Sequence, residues 1–225
     1  MATTGQAEIT IDAENLELPA FLSAPDGAET LVVFVHGSGS SRHSPRNQYV
    51  AEALNNAGHG TLLFDLLTPE EHEQDTATRE HRFDIEMLAE RVANVIDWAE
   101  RDGRTSPYPL VLFGASTGAA AALCAAARRR ARVIGVVSRG GRPDLAGDDL
   151  ERVACPVCLI VGENDPEVLR KNREASTRIT APMRLEVVPG ATHLFEERGA
   201  LDQVIEIASG FVDETRRSPA RPELL

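Results

Sequence analysis

Short, continuous apolar runs recur along this chain, each followed by a stretch with helical spacing, and few folds accommodate that rhythm. The runs are Leu31–Val35 (LVVFV), Thr61–Leu67 (TLLFDLL), Leu110–Phe113, Val133–Val137, Pro156–Val161 and Leu185–Val188. A strand apolar at successive positions must have both of its faces covered. Between the runs, Pro45–Ala57 reads as a helix closed by Gly58, and Phe83–Arg101 carries apolar residues at Ile85, Leu88, Val92, Val95, Ile96 and Ala99 before Gly103. Ala119–Ala127, Glu167–Ile179 and Ala200–Val212 complete the helices. Ala7–Ile11 and Leu16–Leu22 alternate, as an opening antiparallel pair would, and the polar stretch Thr68–Arg82 reads as a long loop. Strands alternating with helices imply an α/β fold: a mostly parallel, twisted sheet with helices on both faces. There is no repeat or linker, so residues 1–215 read as one domain and 216–225 as a frayed tail ending in SPARPELL.

In such a sheet ligands gather beyond the carboxyl ends of the strands, so the residues just after each strand carry the functional information. After Leu110–Phe113 comes Gly114-Ala115-Ser116-Thr117-Gly118 and then the Ala-rich helix. This G-x-S-x-G lies between a strand and a helix, the context that gives it chemical meaning. Glycines at both ends leave no side chains to collide in a sharp turn, Ser116 is lifted to the sheet edge, and the helix N-terminus faces developing negative charge. The bland alternative is an ordinary tight turn.

A serine hydroxyl needs an adjacent base. Leu185–Val188 runs into Pro189-Gly190-Ala191-Thr192-His193, and Pro156–Val161 runs into Gly162-Glu163-Asn164-Asp165. Ser116, Asp165 and His193 therefore occur in the chain order of a nucleophile, its orienting acid and its base on this fold. His193 has a competing reading as a plain loop histidine, and Asp165 as a helix cap before Pro166. Glu163 is the next candidate acid, and Asp144 a weaker one. The turn His36-Gly37-Ser38-Gly39 follows the first long buried strand, so the amides of Ser38 and Thr117 are the expected oxyanion donors. A phosphate-cradling loop is the rival for this turn. It fails in detail, because no G-x-x-x-x-G-K-[ST] is present and Arg42 stands where a third glycine belongs.

These four segments, HGSG, GASTG, GEND and GATH, resemble the α/β-hydrolase superfamily, in particular its dienelactone hydrolase-like branch, over about Leu31 to Val212. The resemblance implies an eight-stranded sheet, no metal and no organic cofactor, with the triad carried by Ser116, Asp165 and His193. The chain departs from true dienelactone hydrolases by having a serine in place of their cysteine nucleophile, which favours general carboxylesterase chemistry. The short segment before Pro156 leaves no room for a large lid domain and implies an open cleft.

A formal net charge of −12 argues against wholesale nucleic-acid binding. Within that acidic background, arginines cluster on loops at the active edge. Arg42 and Arg46 follow the oxyanion turn, Arg139 and Arg142 follow Val133–Val137, and Arg79 and Arg82 precede a helix. Arg139, with Arg42 and Arg46, is expected to bind an anionic part of a small ester-like substrate, although exposed, salt-bridged arginines are the commoner case. His43 is a lesser candidate for the same cleft. Cys124, Cys155 and Cys158 form no disulfide framework, and the single C-x-x-C runs into a strand, so neither zinc nor redox work is expected. Neither a signal peptide nor a transmembrane run is visible, and a cytoplasmic enzyme with no membrane partner is the expectation. The leading function is hydrolysis of an ester, thioester or lactone through an acyl-enzyme. The alternatives are a non-catalytic ligand-binding module and a transacylase.

Overall fold

The computed structural model describes residues 5–217. Eight strands form one sheet in the order β1-β2-β4-β3-β5-β6-β7-β8. They are β1 (Ala7–Asp12), β2 (Glu17–Ser23), β3 (Leu31–Val35), β4 (Gly60–Phe64), β5 (Leu110–Ala115), β6 (Val133–Arg139), β7 (Val157–Gly162) and β8 (Met183–Val188). β1 and β2 are antiparallel, β2 also runs antiparallel to β4, and all later pairings are parallel.

The apolar runs serve two cores at once. In β3, Leu31, Val33 and Val35 face one core while Val32 and Phe34 face the other. In β5, Leu110 and Leu112 part from Val111 and Phe113 in the same way. This is the period-two consequence of a strand covered on both sides. Helices α3 (Ile85–Arg101) and α4 (Thr117–Arg128) fill the first face through Val92, Ile96, Ala121 and Ala125. Helices α1 (Pro45–Asn56) and α6 (Ala200–Arg217) fill the second through Val50, Leu54, Val204 and Phe211. α5 (Pro166–Ser176) packs Val168 and Leu169 against Val161 of β7. Alanines on α4 let that helix lie close under the sheet, where larger side chains would hold it off.

Several expectations are corrected. The supposed loop Thr68–Arg82 contains helix α2 (Pro69–Thr78). Its start is a capping box, with Thr68 and Glu71 bonding each other's backbone amides, and Pro69 occupies the first helical position. The helix lacks an apolar face, so periodicity could not reveal it. Phe83, read as the first residue of the second helix, lies before α3 and is 60% exposed, while Trp98 within α3 is buried. Arg139 belongs to the end of β6 and does not follow it. Arg216 and Arg217 lie in α6, and the expected frayed segment 218–225 falls outside the described residues. No lid domain stands between β6 and β7. Residues 143–152 form only a kinked 3-10 segment, which packs against α4. Among the described residues no helix is long and apolar enough to cross a membrane.

Candidate active site

The strand order brings the expected loops together unequally. β3 and β5 are neighbours, so the Gly37 turn and Ser116 meet directly. A Cβ on Gly37 would lie 3.0 Å from that of Ser116. Ser116 has φ 52° and ψ −123°, a conformation that costs a non-glycine residue about 1–3 kcal/mol and persists only when its surroundings impose it. Here Ser116 N–H donates to Arg139 O (3.2 Å), and Ser116 O accepts from Ala119 N–H (3.1 Å) and Arg142 N–H (3.0 Å). The flanking glycines are sterically required. A Cβ on Gly118 would stand 2.3 Å from His36 O, and one on Gly114 2.4 Å from the Ala119 Cα.

β7 and β8 are also neighbours, and their exits are stitched to each other. Asn164 N–H donates to Ala191 O (2.8 Å), its side-chain amide to Gly190 O (2.9 Å), and Gly190 N–H to Glu163 Oε2 (2.8 Å). Glu163 is thereby used as a loop tie, and Asp144 is held by a two-point pair with Arg142. Neither competes for His193. His193 Nδ1–H donates to Asp165 Oδ2 at 2.7 Å, which leaves Nε2 as the basic nitrogen. Asp165 also caps α5, its Oδ1 accepting from Val168 N–H (3.4 Å), so its two readings hold together.

His193 starts three strands from Ser116, about 14 Å at the usual inter-strand spacing. The loop after β8 must therefore cross β7. It comes to rest on Gly140, just past β6, where an added Cβ would be 3.1 Å from His193 O and 3.4 Å from the Phe195 ring. Phe195, fully buried at φ 56°, pins the far side of this crossing. Gly140 and Phe195 carried no motif that would have marked them in the sequence. Ser116 and His193 consequently line one cleft of about 260 Å³, together with Ser38, Arg46, Arg139 and Leu194. Ser116 Oγ makes no hydrogen bond among the described residues, and catalytic hydrogen bonds commonly tighten only once substrate is bound. A larger groove of about 450 Å³ lies at the amino ends of β7 and β8, but no nucleophile–base pair lines it.

At the turn expected to supply oxyanion donors, the two amides stand differently. Thr117 N–H, in the first turn of α4, has no hydrogen-bond partner among the described residues, whereas Ser38 N–H donates to Thr117 Oγ1 at 3.0 Å. His36 supports the turn from within: its Nε2 accepts Leu66 N–H (3.0 Å) and its Nδ1–H donates to Gly37 O (3.0 Å). Burial lowers the His36 pKa and keeps the ring neutral.

The arginines separate sharply. Arg42 does not enter the cleft; it pairs with Asp65 and Glu8 and lines a neighbouring depression with His43. Arg82 is locked to the buried Asp75, Arg142 pairs with Asp144, and Arg79 is exposed. Arg46 reaches the cleft while paired with the exposed Glu196 (2.8 Å). Arg139 is different in kind. It is only 8% exposed, its guanidinium has no hydrogen bond or carboxylate among the described residues, and it sits 5.9 Å from the Phe113 ring centroid. Burial, and then the charge of Arg46, push its pKa down to about 10. Among the described residues no three metal-capable side chains cluster.

The family is decided by comparison with known proteins: residues 28–208 match the model of a family described as an alpha/beta hydrolase domain. The chain belongs to the α/β-hydrolase superfamily, in its dienelactone hydrolase-like branch. A dienelactone hydrolase from Anabaena variabilis is 47% identical with a TM-score of 0.92, over 93% of this chain and 97% of that one. Est1E from Butyrivibrio proteoclasticus shares the fold at 18% identity and a TM-score of 0.77, over 94% and 99%. A Mycobacterium tuberculosis protein provisionally named a phosphoribosyl transferase is 52% identical over 207 residues. That match takes in 92% of this chain but 46% of the relative, so the chain spans about half the length of the curated relatives it matches.

Proposed function

We propose that this α/β hydrolase cleaves an ester-like bond of an anionic small molecule through a covalent intermediate on Ser116. The observation that carries this reading is the His193–Asp165 hydrogen bond, which leaves a basic imidazole nitrogen in the cleft that also holds the strained Ser116. Ser116 Oγ attacks the carbonyl carbon as its proton passes to His193 Nε2. The tetrahedral oxyanion is held by the amides of Thr117 and Ser38, each worth about 3 kcal/mol of barrier. The imidazolium, steadied by Asp165, then protonates the leaving oxygen. A water deprotonated by His193 attacks the acyl carbon, and Ser116 is released. A serine at the elbow suits esters, thioesters and lactones alike.

Arg139 supports the anionic part of the proposal. A buried cation without a partner is costly, and a substrate carboxylate or phosphate reaching it from the reactive centre would relieve that cost. We assign the transferase name of the longer relatives to the half that this chain does not span, because the matching half folds as a hydrolase domain.

The test is labelling with a fluorophosphonate, followed by a hydrolysis screen over neutral, carboxylated and phosphorylated esters and lactones. Covalent modification at Ser116, and turnover abolished by Ser116→Ala, are expected. An unlabelled Ser116 together with no turnover would support a non-catalytic binding module in place of an enzyme.

A further inference from the structure

The contacts around Ser38 assign their own protons. Ser38 Oγ lies 3.0 Å from Arg82 O, to which it can only donate, and 2.8 Å from Thr117 Oγ1. The single Ser38 hydroxyl proton is therefore spent on the carbonyl, and Thr117 must donate its own to Ser38 Oγ. Thr117 Oγ1 in turn accepts Ser38 N–H at 3.0 Å. Behind this ring, Asp75, 2% exposed, fixes Arg82: its Oδ1 accepts the amides of His81 (2.9 Å) and Arg82 (3.0 Å), and its Oδ2 accepts Arg82 Nε (2.6 Å). The turn is thus braced through Arg82 independently of the bond that occupies the Ser38 amide.

We propose that the Thr117 hydroxyl is a built-in competing acceptor, which occupies the Ser38 amide until a developing oxyanion displaces it. This rests on the serine-hydrolase reading above. A neutral substrate carbonyl accepts a hydrogen bond about as well as a hydroxyl does, so it gains little by displacing Thr117. Bonds to an ionised acceptor are roughly twice as strong, so the exchange proceeds as charge builds on the carbonyl oxygen. Ser38 is then silent towards bound substrate and active towards the tetrahedral state. The Thr117 side chain acts as a positioning group, through Ser38, while its backbone amide remains the second donor. No proton changes owner in the exchange: Ser38 N–H swaps one acceptor for another, and Thr117 keeps its bond to Ser38 Oγ.

The sign of one mutational effect separates this from simple bracing. Burst kinetics with 4-nitrophenyl acetate, a neutral probe that leaves Arg139 uninvolved, give the binding constant Ks and the acylation rate k2 separately. Thr117→Val keeps the side-chain shape and removes the competitor. The expected result is a Ks lowered about fivefold, the equivalent of one ordinary hydrogen bond of about 1 kcal/mol, with k2 within about twofold of wild type, so that k2/Ks rises. Thr117→Ser should behave as wild type. A higher Ks or a lower k2/Ks in Thr117→Val overturns the proposal and makes the hydroxyl a mere brace. Should Thr117→Val not fold, the Ser38 amide resonance of the wild-type protein decides: a downfield shift on forming a phenylboronic acid adduct is expected, and an unmoved resonance overturns the exchange. A wild type showing no burst and no fluorophosphonate label sinks the hydrolase reading and this one with it. A normal burst with the wrong sign in Thr117→Val sinks this one alone.

Discussion

If the proposed role of Arg139 holds, replacing it with methionine should make the free protein more stable and hydrolysis of anionic esters slower. Burial pushes the pKa of Arg139 down from the ordinary arginine range to about 10. At about 1.4 kcal/mol for each tenfold change in proton affinity, holding that buried charge costs the fold about 3 kcal/mol. Methionine fills a similar shape without charge, but it gives up the contact with the Phe113 ring, worth about 0.5–2 kcal/mol. A net gain of about 1–2 kcal/mol remains, which is a rise of about 2–6 °C in Tm for a chain of this length. For catalysis, losing one buried partner of a charged hydrogen bond costs about 2–5 kcal/mol. The kcat/KM for 4-nitrophenyl succinate should fall by roughly 30-fold or more, with that for 4-nitrophenyl acetate little changed. Thermal scans with and without succinate, and the two esters assayed in parallel, are the measurements. A destabilised Arg139→Met that loses equally on both esters would refute the reasoning, since it would make Arg139 a packing residue.

Three further outcomes are expected. Asp165→Asn should lower kcat by about 10³–10⁴-fold through the wrong imidazole tautomer while leaving Tm nearly unchanged, because asparagine caps α5 as well as aspartate does; a large fall in Tm would show that the cap dominates. His36 is held neutral by burial below its ordinary pKa of 6.5, so the unfolded chain takes up more protons in acid. The stability it supplies is present above pH 6.5 and is lost as the pH falls from there through the folded value, and His36→Asn should flatten the Tm–pH slope in that window. The thiols of Cys124, Cys155 and Cys158 are buried, with pKa values pushed up to about 12, 12 and 11. Ellman's reagent at pH 8 should therefore find them unreactive until the protein unfolds, and activity should survive thiol alkylation.

How much of the fold was legible depended on whether a segment's pattern and its tertiary role coincided. β3 and β5 read plainly because a strand covered on both faces must be apolar at every position, and the two cores divide those side chains alternately. α3 read plainly because it lays one apolar stripe on the sheet. α2 did not, because it buries chiefly Asp75 and has no stripe to detect. What could have revealed it was local: Thr68-Pro69-x-Glu71 is a helix start whatever follows. The end of β6 was placed two residues early, because Ser138 and Arg139 are polar residues that the sheet nonetheless buries.

The site divides along the same line. Residues whose proposed role follows from the chemistry they carry, namely Ser116, His193 and Asp165, stand out in the sequence because each follows a strand and their order matches the topology. Residues that bring those groups into one cleft do not. Gly140 looks like any loop glycine, yet the loop after β8 has to cross β7 to bring His193 to the cleft, and it passes close over Gly140, where a positive φ of 52° and a 3.1 Å approach to His193 O both favour a missing Cβ. The arginines show the converse. Sequence position puts Arg139 first, for its place after a central strand, and Arg42 and Arg46 beside it, but it says nothing of their pairing states, which depend on carboxylates distant in the chain: Asp65 and Glu8 hold Arg42, Glu196 holds Arg46, and none among the described residues holds Arg139. A buried arginine is expensive wherever it occurs, and at the one other arginine buried to this degree among the described residues, Arg91, the pair with Glu71 offsets that expense. Leaving Arg139 without a carboxylate in the cleft that Ser116 lines is therefore the feature on which the proposed preference for an anion rests.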